Sequence, residues 1–544
     1  MDLKAKIGQM IVVRASGYLR DRQRRYPQWE ADNQTLQKWL RESNIGGVIL
    51  LGGSAVEIKE RSQQLQSWAQ TPLLIAADIE EGVGQRFTGL TWFPPPMALN
   101  AVAQKDLELA KKYAFQMGEI TARETLAIGI NWLLAPVVDV NNNPDNPVIN
   151  IRAFSDRSEI TSKLTVAFIE GARQHSILTT AKHFPGHGDT ATDSHLTLPT
   201  ISHDESRLQT VELPPFQSAL DARVDSVMTA HLTIPTWDKE YPATLSHEIL
   251  TEKLRRKMGF DGLIVTDALI MGGITRYADP EEIAVMAVKA GVDVLLMPDD
   301  PQVAIESIYQ AVTLGKIDET RIDRSVARIM AAKEKVEGWK TGGKGGRGAR
   351  LAPISIREDR KDNRDSGELV VEEILKDSIK SGGNLPLEVT KSNSCRNLIV
   401  VDDVLNSSFL DLQTPAIAVP QQLGYQRQIL DRNSLELIAK DERKTLLQLF
   451  IRGNPFRGSA GLSPEAIQQY QKLSKSDRLI GLIIYGSPYV FDLFLPNLDS
   501  DIPWIFTYGQ MDLAQAIALA RLFNLAVDRD TNVVFPTNIE NFGF

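Results

Sequence analysis

Over its first 335 residues the chain repeats one pattern, a short run of Val, Ile and Leu followed by a longer stretch with apolar residues at helical spacing. The runs are Ile45 to Leu51, Leu73 to Ala77, Asn131 to Val138, Ile177 to Ala181, Val224 to Thr229, Leu263 to Thr266 and Val292 to Met297, with a less regular one near Ile11 to Val13. They alternate little with polar residues, as expected of parallel strands buried on both faces. Between them, Asp106 to Leu126, Ser158 to Gln174 and Pro280 to Ala290 have the pattern of amphipathic helices. So many successive βα units predict an α/β protein whose N-terminal part is a (β/α)8 barrel of the TIM type.

A chain of 544 residues exceeds what one ordinary core supports. Strand-like runs return at Leu398 to Val401, Ala416 to Val419, Thr445 to Ile451, Leu479 to Tyr485 and Trp504 to Thr507, with helical stretches at Ser463 to Leu473 and Met511 to Leu522. The expectation is a barrel over residues 1–337 and a smaller αβα sandwich over 367–544. Glycine and charge dominate from Gly338 to Arg350 and on to about Asp365, so residues 338–366 are expected to be a linker.

A net charge of -9 lacks the basic footprint of a nucleic-acid binder. No segment approaches the ~18 consecutive apolar residues that would cross a bilayer. The N-terminal apolar run is interrupted before it forms a signal-peptide core, and Cys395 is the single cysteine. These features predict a cytoplasmic protein with neither nucleic-acid nor membrane partners, and they leave its oligomeric state open.

The chemistry is concentrated in one segment. Three of the seven histidines fall in Lys182-His183-Phe-Pro-Gly-His187-Gly-Asp-Thr-Ala-Thr-Asp193-Ser-His195. Glycine and proline among them suit a loop, and a mobile one could close over a substrate. Asp193 and His195 are two residues apart, so the carboxylate can hold one imidazole nitrogen and leave the other for proton transfer near neutral pH. Asp78, Asp139, Lys182 with His183, His231, Asp267 and Asp299 each follow an apolar run at once or within two residues. In a barrel those positions form the C-terminal rim, where reactive groups project. Asp267, directly after a buried strand, suits a positioned carboxylate nucleophile, although a helix cap explains such an aspartate equally well.

Together, Lys182-His183-Phe-Pro-Gly-His187-Gly-Asp-Thr, Asp193-Ser-His195 and Thr266-Asp267-Ala-Leu resemble glycoside hydrolase family 3, specifically its bacterial β-N-acetylglucosaminidase branch. The resemblance covers most of residues 1–338. Arg452-Gly-Asn-Pro-Phe-Arg457-Gly and Tyr485-Gly-Ser-Pro-Tyr489 are similar to the sandwich domain of two-domain members. The resemblance implies a retaining exo-β-N-acetylglucosaminidase that acts on small cell-wall or chitin-derived sugars and needs neither cofactor nor metal. It assigns Asp267 as nucleophile, His195 as general acid/base and Asp193 as its dyad partner. It places Asp78, Arg86, Arg152, Lys182 and His183 around the sugar, and His231 is expected to line the same pocket.

One segment departs from the family pattern. The usual Asp-x-Glu-Gly-Gly-Arg-Val-x-Arg stands here as Asp78-Ile-Glu80-Glu81-Gly82-Val83-Gly84-Gln85-Arg86, with Glu81 in place of a glycine and Val83 in place of an arginine. Four alternatives remain at this level. They are a β-glucosidase, a phosphorylase favoured by an imidazole that repels phosphate less than a carboxylate would, a non-catalytic sugar binder, and a metal site built from His183, His187, Asp193 and His195.

Overall fold

The computed structural model describes residues 1–337, 366–388, 395–402, 407, 409–431, 442–453, 461–527 and 534–536. The chain divides into two compact units. The first comprises Met1–Phe93, Asp106–Asn143 and Arg152–Glu368, and the second Pro94–Lys105, Pro144–Ile151 and Leu369–Phe544. Two short segments of the N-terminal half thus belong with the second unit. The expected linker lies, apart from Ser366, outside the described residues.

The first unit contains eight strands: β1 (Ile11–Ser16), β2 (Gly47–Leu51), β3 (Leu74–Ala77), β4 (Trp132–Leu133), β5 (Thr180–Phe184), β6 (Ser226–Thr229), β7 (Leu263–Val265) and β8 (Leu295–Leu296). All neighbours pair in parallel, in the order β4-β3-β2-β1-β8 and β5-β6-β7. Single bridges, Trp132 to Leu178 and Val265 to Val294, join the two arcs into a ring. Helices such as Ala55–Trp68, Leu107–Ala127, Ser158–Ala172 and Pro280–Ala290 return the chain between strands. This is the (β/α)8 arrangement that continuous Val/Ile/Leu strands favour, because each strand is covered on both faces.

The barrel interior is packed rather than hollow. Trp132 is fully buried there, and its indole N–H lies 3.0 Å from both Thr180 Oγ1 and Ser226 Oγ. Three strands therefore meet around one buried donor whose hydrogen bond is satisfied.

The end of the barrel opposite the candidate site is held by a buried carboxylate. Asp293, just before β8, accepts from Arg255 Nη2 at 2.6 Å, the Ile264 amide at 3.0 Å, Ser325 Oγ at 2.6 Å and Arg328 Nη1 at 3.2 Å. It thereby ties β7 and β8 to the helix Glu248–Lys257 that precedes β7 and to the helix Glu319–Glu337 that follows β8. Among the described residues no helix is long and apolar enough to cross a membrane.

The second unit contains β9 (Lys380–Gly382), β10 (Cys395–Val401), β11 (Gln426–Leu430), β12 (Lys444–Ile451), β13 (Leu479–Gly486) and β14 (Trp504–Thr507). Their sheet order is β11-β10-β12-β13-β14-β9, parallel throughout except for the β9 edge. One face, carrying Ile399, Phe450, Tyr485 and Ile505, packs against helices Pro415–Gln422 and Asp512–Phe523. On the same face the rings of Phe450 and Tyr485 stack at 4.1 Å. Helix Pro488–Phe494 covers part of the opposite face, with Phe491 stacked 5.0 Å from Phe506.

Two features of this unit differ from expectation. The run Ala416 to Val419, expected as a strand, lies in helix Pro415–Gln422. A short apolar run does not distinguish the two states, and Pro415 in the first helical turn after Thr414 decides for the helix. Edge strands β9 and β11 went unseen because Lys-Ser-Gly and Gln-Arg-Gln-Ile-Leu are too polar to resemble buried strands. Of the segment Arg452 to Gly458, residues 454–458 lie outside the described residues.

Removing the buried Asp293 carboxylate would leave several half-buried guanidiniums without their acceptor. Asp293→Ala is expected to destabilise the first unit by about 3–5 kcal/mol. Urea unfolding followed by fluorescence would read this, and an unchanged midpoint would refute the role given to Asp293.

Candidate active site

The loop after β5 is built around one buried carboxylate. Asp139, which follows the short β4 region, accepts from the His183 amide at 3.1 Å, His183 Nδ1 at 2.8 Å and the His187 amide at 2.7 Å. Burial pushes its carboxyl up, but the neighbouring His183 and His187 outweigh that and hold it below the ordinary value. The first of these contacts fixes the backbone at the end of β5. The second puts a His183 proton on Nδ1 and leaves Nε2 facing away from Asp139. Next in the chain, Gly188 passes so close to Val140 that a Cβ would lie 1.8 Å from its carbonyl oxygen. No other residue fits there.

His187 closes the loop on itself. Its Nδ1 meets Thr190 Oγ1 at 2.8 Å and its Nε2 meets Ser194 Oγ at 2.8 Å. With the ring fully enclosed, burial pulls the imidazole down to about 4. It is a neutral clasp at neutral pH, which gives His187 a structural place in the motif.

The clasp delivers Asp193 and His195. Asp193 Oδ1 accepts from both the His195 amide and His195 Nδ1, each at 2.9 Å. The far side of the loop is docked by backbone alone, with Gly272 N–H donating to His195 O and Gly273 N–H to Ser194 O, each at 3.1 Å. A Cβ at Gly273 would lie 2.5 Å from that Ser194 oxygen. Thr233 then secures the loop's exit through Pro199 O at 2.8 Å and the Ile201 amide at 2.9 Å.

Glycines 272 and 273 follow Asp267 by only a few residues, so the dyad is fastened to the segment that carries the candidate nucleophile. Asp267 sits two residues past β7, with Oδ1 accepting from the Ala268 amide at 2.7 Å. Burial raises its carboxyl, but His183, His231, His195 and that amide together hold it below the ordinary value. An ionised carboxylate ringed by three imidazoles results. His231 uses both its nitrogens on protein, Nδ1 on Thr244 Oγ1 at 2.7 Å and Nε2 on the Ala268 carbonyl at 3.1 Å. Burial lowers its pKa, so it is neutral, and the structure places it as a prop behind Asp267 and Ala268.

The residues expected around the sugar form a chain of alternating charge. Lys182 Nζ lies 2.7 Å from Asp78 Oδ1 and 2.6 Å from Glu80 Oε1. Arg152 grips Glu80 through Nε and Nη2, both at 2.8 Å. Burial works against the charged form of Lys182, and Asp78 and Glu80 reverse it and hold its pKa above the ordinary value. Likewise burial raises Glu80, and Arg152 and Lys182 bring it well below the usual carboxylate range. Arg86 donates Nε–H to the Asp78 carbonyl at 2.7 Å and so positions Asp78 through its backbone. Asp78, with 37% of its side chain exposed, is the open member of the set.

The altered loop is fully accommodated. Glu81 is buried and accepts from the Trp92 indole N–H at 3.1 Å. Gln85 Oε1 takes the Glu80 and Glu81 amides at 2.9 and 3.1 Å. Gly82, at φ +81°, makes the turn that a glycine must make. Asp78 and Arg86 are therefore presented on a loop with internal bonds of its own.

The structure brings Asp78, Lys182, Arg152 and Arg86 into one network and Asp267, His183, His195 and Asp193 into another beside it. Of two organising carboxylates, Glu80 was not singled out by the sequence, and Asp139 was named as a rim position without a role. A sequence signal existed for each, since Asp78 and Glu80 share the i, i+2 spacing that puts side chains on one side of extended backbone, and Asp139 ends an apolar run. Among the described residues one triplet has metal-ligand geometry, Asp189, His203 and Glu212, and Arg207 already bridges its two carboxylates. His183, His187, Asp193 and His195 are instead tied to protein partners.

His187 has a consequence for stability. In the unfolded chain its ring titrates near 6.5, whereas the folded ring resists protonation down to about 4. Between these limits the unfolded state binds more protons, so stability falls as the pH falls, by up to about 3 kcal/mol from this residue. Urea midpoints of wild type and His187→Gln across that window should show a shallower pH dependence in the variant. Parallel curves would refute the neutral clasp.

Two descriptions of known families match the chain: the glycosyl hydrolase family 3 N terminal domain over residues 2–332, and the bacterial glycosyl hydrolase family 3 C-terminal domain over residues 388–524. A beta-hexosaminidase A of Pseudoalteromonas piscicida is 33% identical over 336 residues, a match spanning 55% of each chain. A beta-hexosaminidase of Idiomarina loihiensis is 35% identical over 274 residues, 50% of this chain and 81% of that one. Among solved structures, a family 3 beta-N-acetylglucosaminidase from Paenibacillus sp. superposes with a TM-score of 0.77 at 28% identity, covering 96% of this chain and 97% of that one. With both halves matched in order and the N-terminal match covering more than half its length, the chain belongs to glycosyl hydrolase family 3.

Proposed function

We propose that the protein is a retaining exo-β-N-acetylglucosaminidase that releases terminal β-linked N-acetylglucosamine from small cell-wall or chitin-derived sugars. The observation that carries this reading is the docking of the Asp193–His195 dyad, through Gly272 and Gly273, onto the segment that follows Asp267. A proton-transfer group and an ionised carboxylate are thereby held on one scaffold, as double displacement requires. The beta-hexosaminidase relatives and the beta-N-acetylglucosaminidase structure support the same sugar.

In the first step an Asp267 oxygen attacks the anomeric carbon while the imidazolium of His195 gives its Nε2 proton to the departing glycosidic oxygen. The leaving sugar departs as an alcohol and a glycosyl ester forms on Asp267. Neutral His195 then takes a proton from water, whose oxygen attacks the same carbon and frees the Asp267 carboxylate. Two inversions give net retention. Asp193 keeps the His195 proton on Nδ1 and stabilises the charge that appears on the ring during each cycle. Asp78, Lys182 and His183 bind sugar hydroxyls, while Arg152 and Arg86 fix the carboxylate and the loop behind them.

The acceptor admits a second reading. Because His195 is neutral when it acts as base, an anion meets no opposing carboxylate at that position, and phosphate can replace water there. In that case the glycosyl ester is released as a sugar phosphate.

The tests use an aryl β-N-acetylglucosaminide and an aryl β-glucoside, each with and without phosphate. Asp267→Asn is expected to lower kcat by at least about 10³-fold. His195→Ala should lose roughly 10²- to 10⁴-fold on poor leaving groups and far less on strongly acidic phenols. Full activity of Asp267→Asn would overturn the assignment. Sugar 1-phosphate as the main product would replace hydrolysis with phosphorolysis.

A further inference from the structure

The loop that carries the Asp193–His195 dyad is bracketed by a second polar cluster that the proposed reaction does not use. Asp189 lies on the loop itself, two residues after His187, His203 follows the loop's exit, and Glu212 ends the short helical stretch Leu208–Glu212. A ring nitrogen of His203 and one carboxylate oxygen each of Asp189 and Glu212 lie within 4.8 Å of one another, so separate stretches of chain converge on one point. The stem of Glu212 also lies against Gly186 at the start of the loop, where a Cβ would come within 3.0 Å of it.

Arg207 occupies this point without fitting it closely. Its Nη2 lies 3.2 Å from Asp189 Oδ2 and 3.3 Å from Glu212 Oε1, and its Nε donates to that same Glu212 oxygen at 3.3 Å. Charge-assisted hydrogen bonds of good geometry are shorter, ~2.7–2.9 Å. Glu212 is only 4% exposed, and its second oxygen, Oε2, is sealed from solvent with no hydrogen-bond partner. A carboxylate oxygen in that state is costly, and a cation that meets it at short range removes the cost. Arg207 keeps 35% of its side chain exposed, so it can swing into water and give up its place.

The donors choose the ion. One imidazole and two carboxylates suit a divalent ion of borderline softness such as Zn²⁺, whereas Mg²⁺ and Ca²⁺ take oxygen donors. Around a tetrahedral zinc the ligand atoms stand about 3.3 Å apart. His203 Nε2 and Asp189 Oδ2 already stand at 2.8 Å, and the gap left to Glu212 is of the size that side-chain rotation closes. The side chains of His203 and Asp189 are 28% and 21% exposed, which gives an ion a way in. On binding, His203 Nε2 exchanges its hydrogen bond to Asp189 for the metal, and the ring keeps its proton on Nδ1.

We infer that Asp189, His203 and Glu212 form a binding site for Zn²⁺ or an ion of the same class, which displaces Arg207. The site includes neither Asp193 nor His195. An ion held there ties the loop, the chain that leaves it and the helix Leu213–Asp221 into one body, and so stabilises the loop without entering bond cleavage. The inference goes beyond the glycosidase reading and does not depend on it.

The test titrates the full chain, stripped of metal by chelation, with zinc alone. Calorimetry reads stoichiometry and affinity, and a thermal melt reads stability. Wild type should bind one zinc ion at this site and melt at a higher temperature in its presence, and magnesium should give neither effect. His203→Ala and the isosteric Asp189→Asn should each weaken zinc binding at least about tenfold. Arg207→Ala, which removes the competing cation, should bind zinc more tightly. Melts without zinc show whether each variant folds. No saturable zinc binding in wild type would overturn the site, and so would binding of undiminished strength in both His203→Ala and Asp189→Asn, because the ion would then sit elsewhere. Weaker binding in Arg207→Ala would overturn the displacement.

Discussion

Asp139 carries a negative charge in a place water does not reach, and the site is arranged around meeting that demand. A buried carboxylate without donors costs several kcal/mol. Here the donors are two backbone amides and one imidazole, all from the loop after β5. Satisfying the charge therefore bends the loop, holds a proton on His183 Nδ1 and begins the path that ends at His195. The same carboxylate joins the end of the β4 region to the end of β5, where the barrel ring is closed by single bridges rather than a continuous ladder. Chemistry and closure thus depend on one group.

The site is otherwise a balance of compensated charges. Lys182 and Glu80 are buried, and Arg152 partly so, at a cost that their mutual contacts offset. Pairing of this kind fixes geometry more than it adds stability. It leaves Asp78 as the exposed end of a rigid row, able to meet sugar hydroxyls without rearranging. Around Asp267 the logic is reversed, since three imidazoles and one amide favour the ionised carboxylate that the proposed attack requires.

The barrel was legible because its strands are buried on both faces, and such strands must be runs of Val, Ile and Leu. The candidate site stood out where rare residue types fall in tight spacing, as in Lys182-His183 and Asp193-Ser-His195, which the fold brings to one end of the barrel. Glu80 and Asp139 were harder, because a carboxylate that organises others looks in one dimension like any turn residue. His231, expected to line the pocket, has both ring nitrogens hydrogen-bonded to protein, a detail of partnership that position at the rim does not carry. In the second unit, Ala416 to Val419 failed as a strand because four apolar residues carry no period, and the polar edge strands failed because burial was the only signal available.

The contact between the dyad loop and the segment after Asp267 is made by the peptide groups of Gly272, Gly273, Ser194 and His195, not by side chains. Its length is that of two N–H···O bonds and owes nothing to the chemical identity of the residues facing it, apart from the need for glycine where the backbones touch. The separation of His195 from Asp267, the proposed acid/base and nucleophile, is therefore gauged by main chain. Side chains around the gauge can change through evolution while that spacing stays fixed.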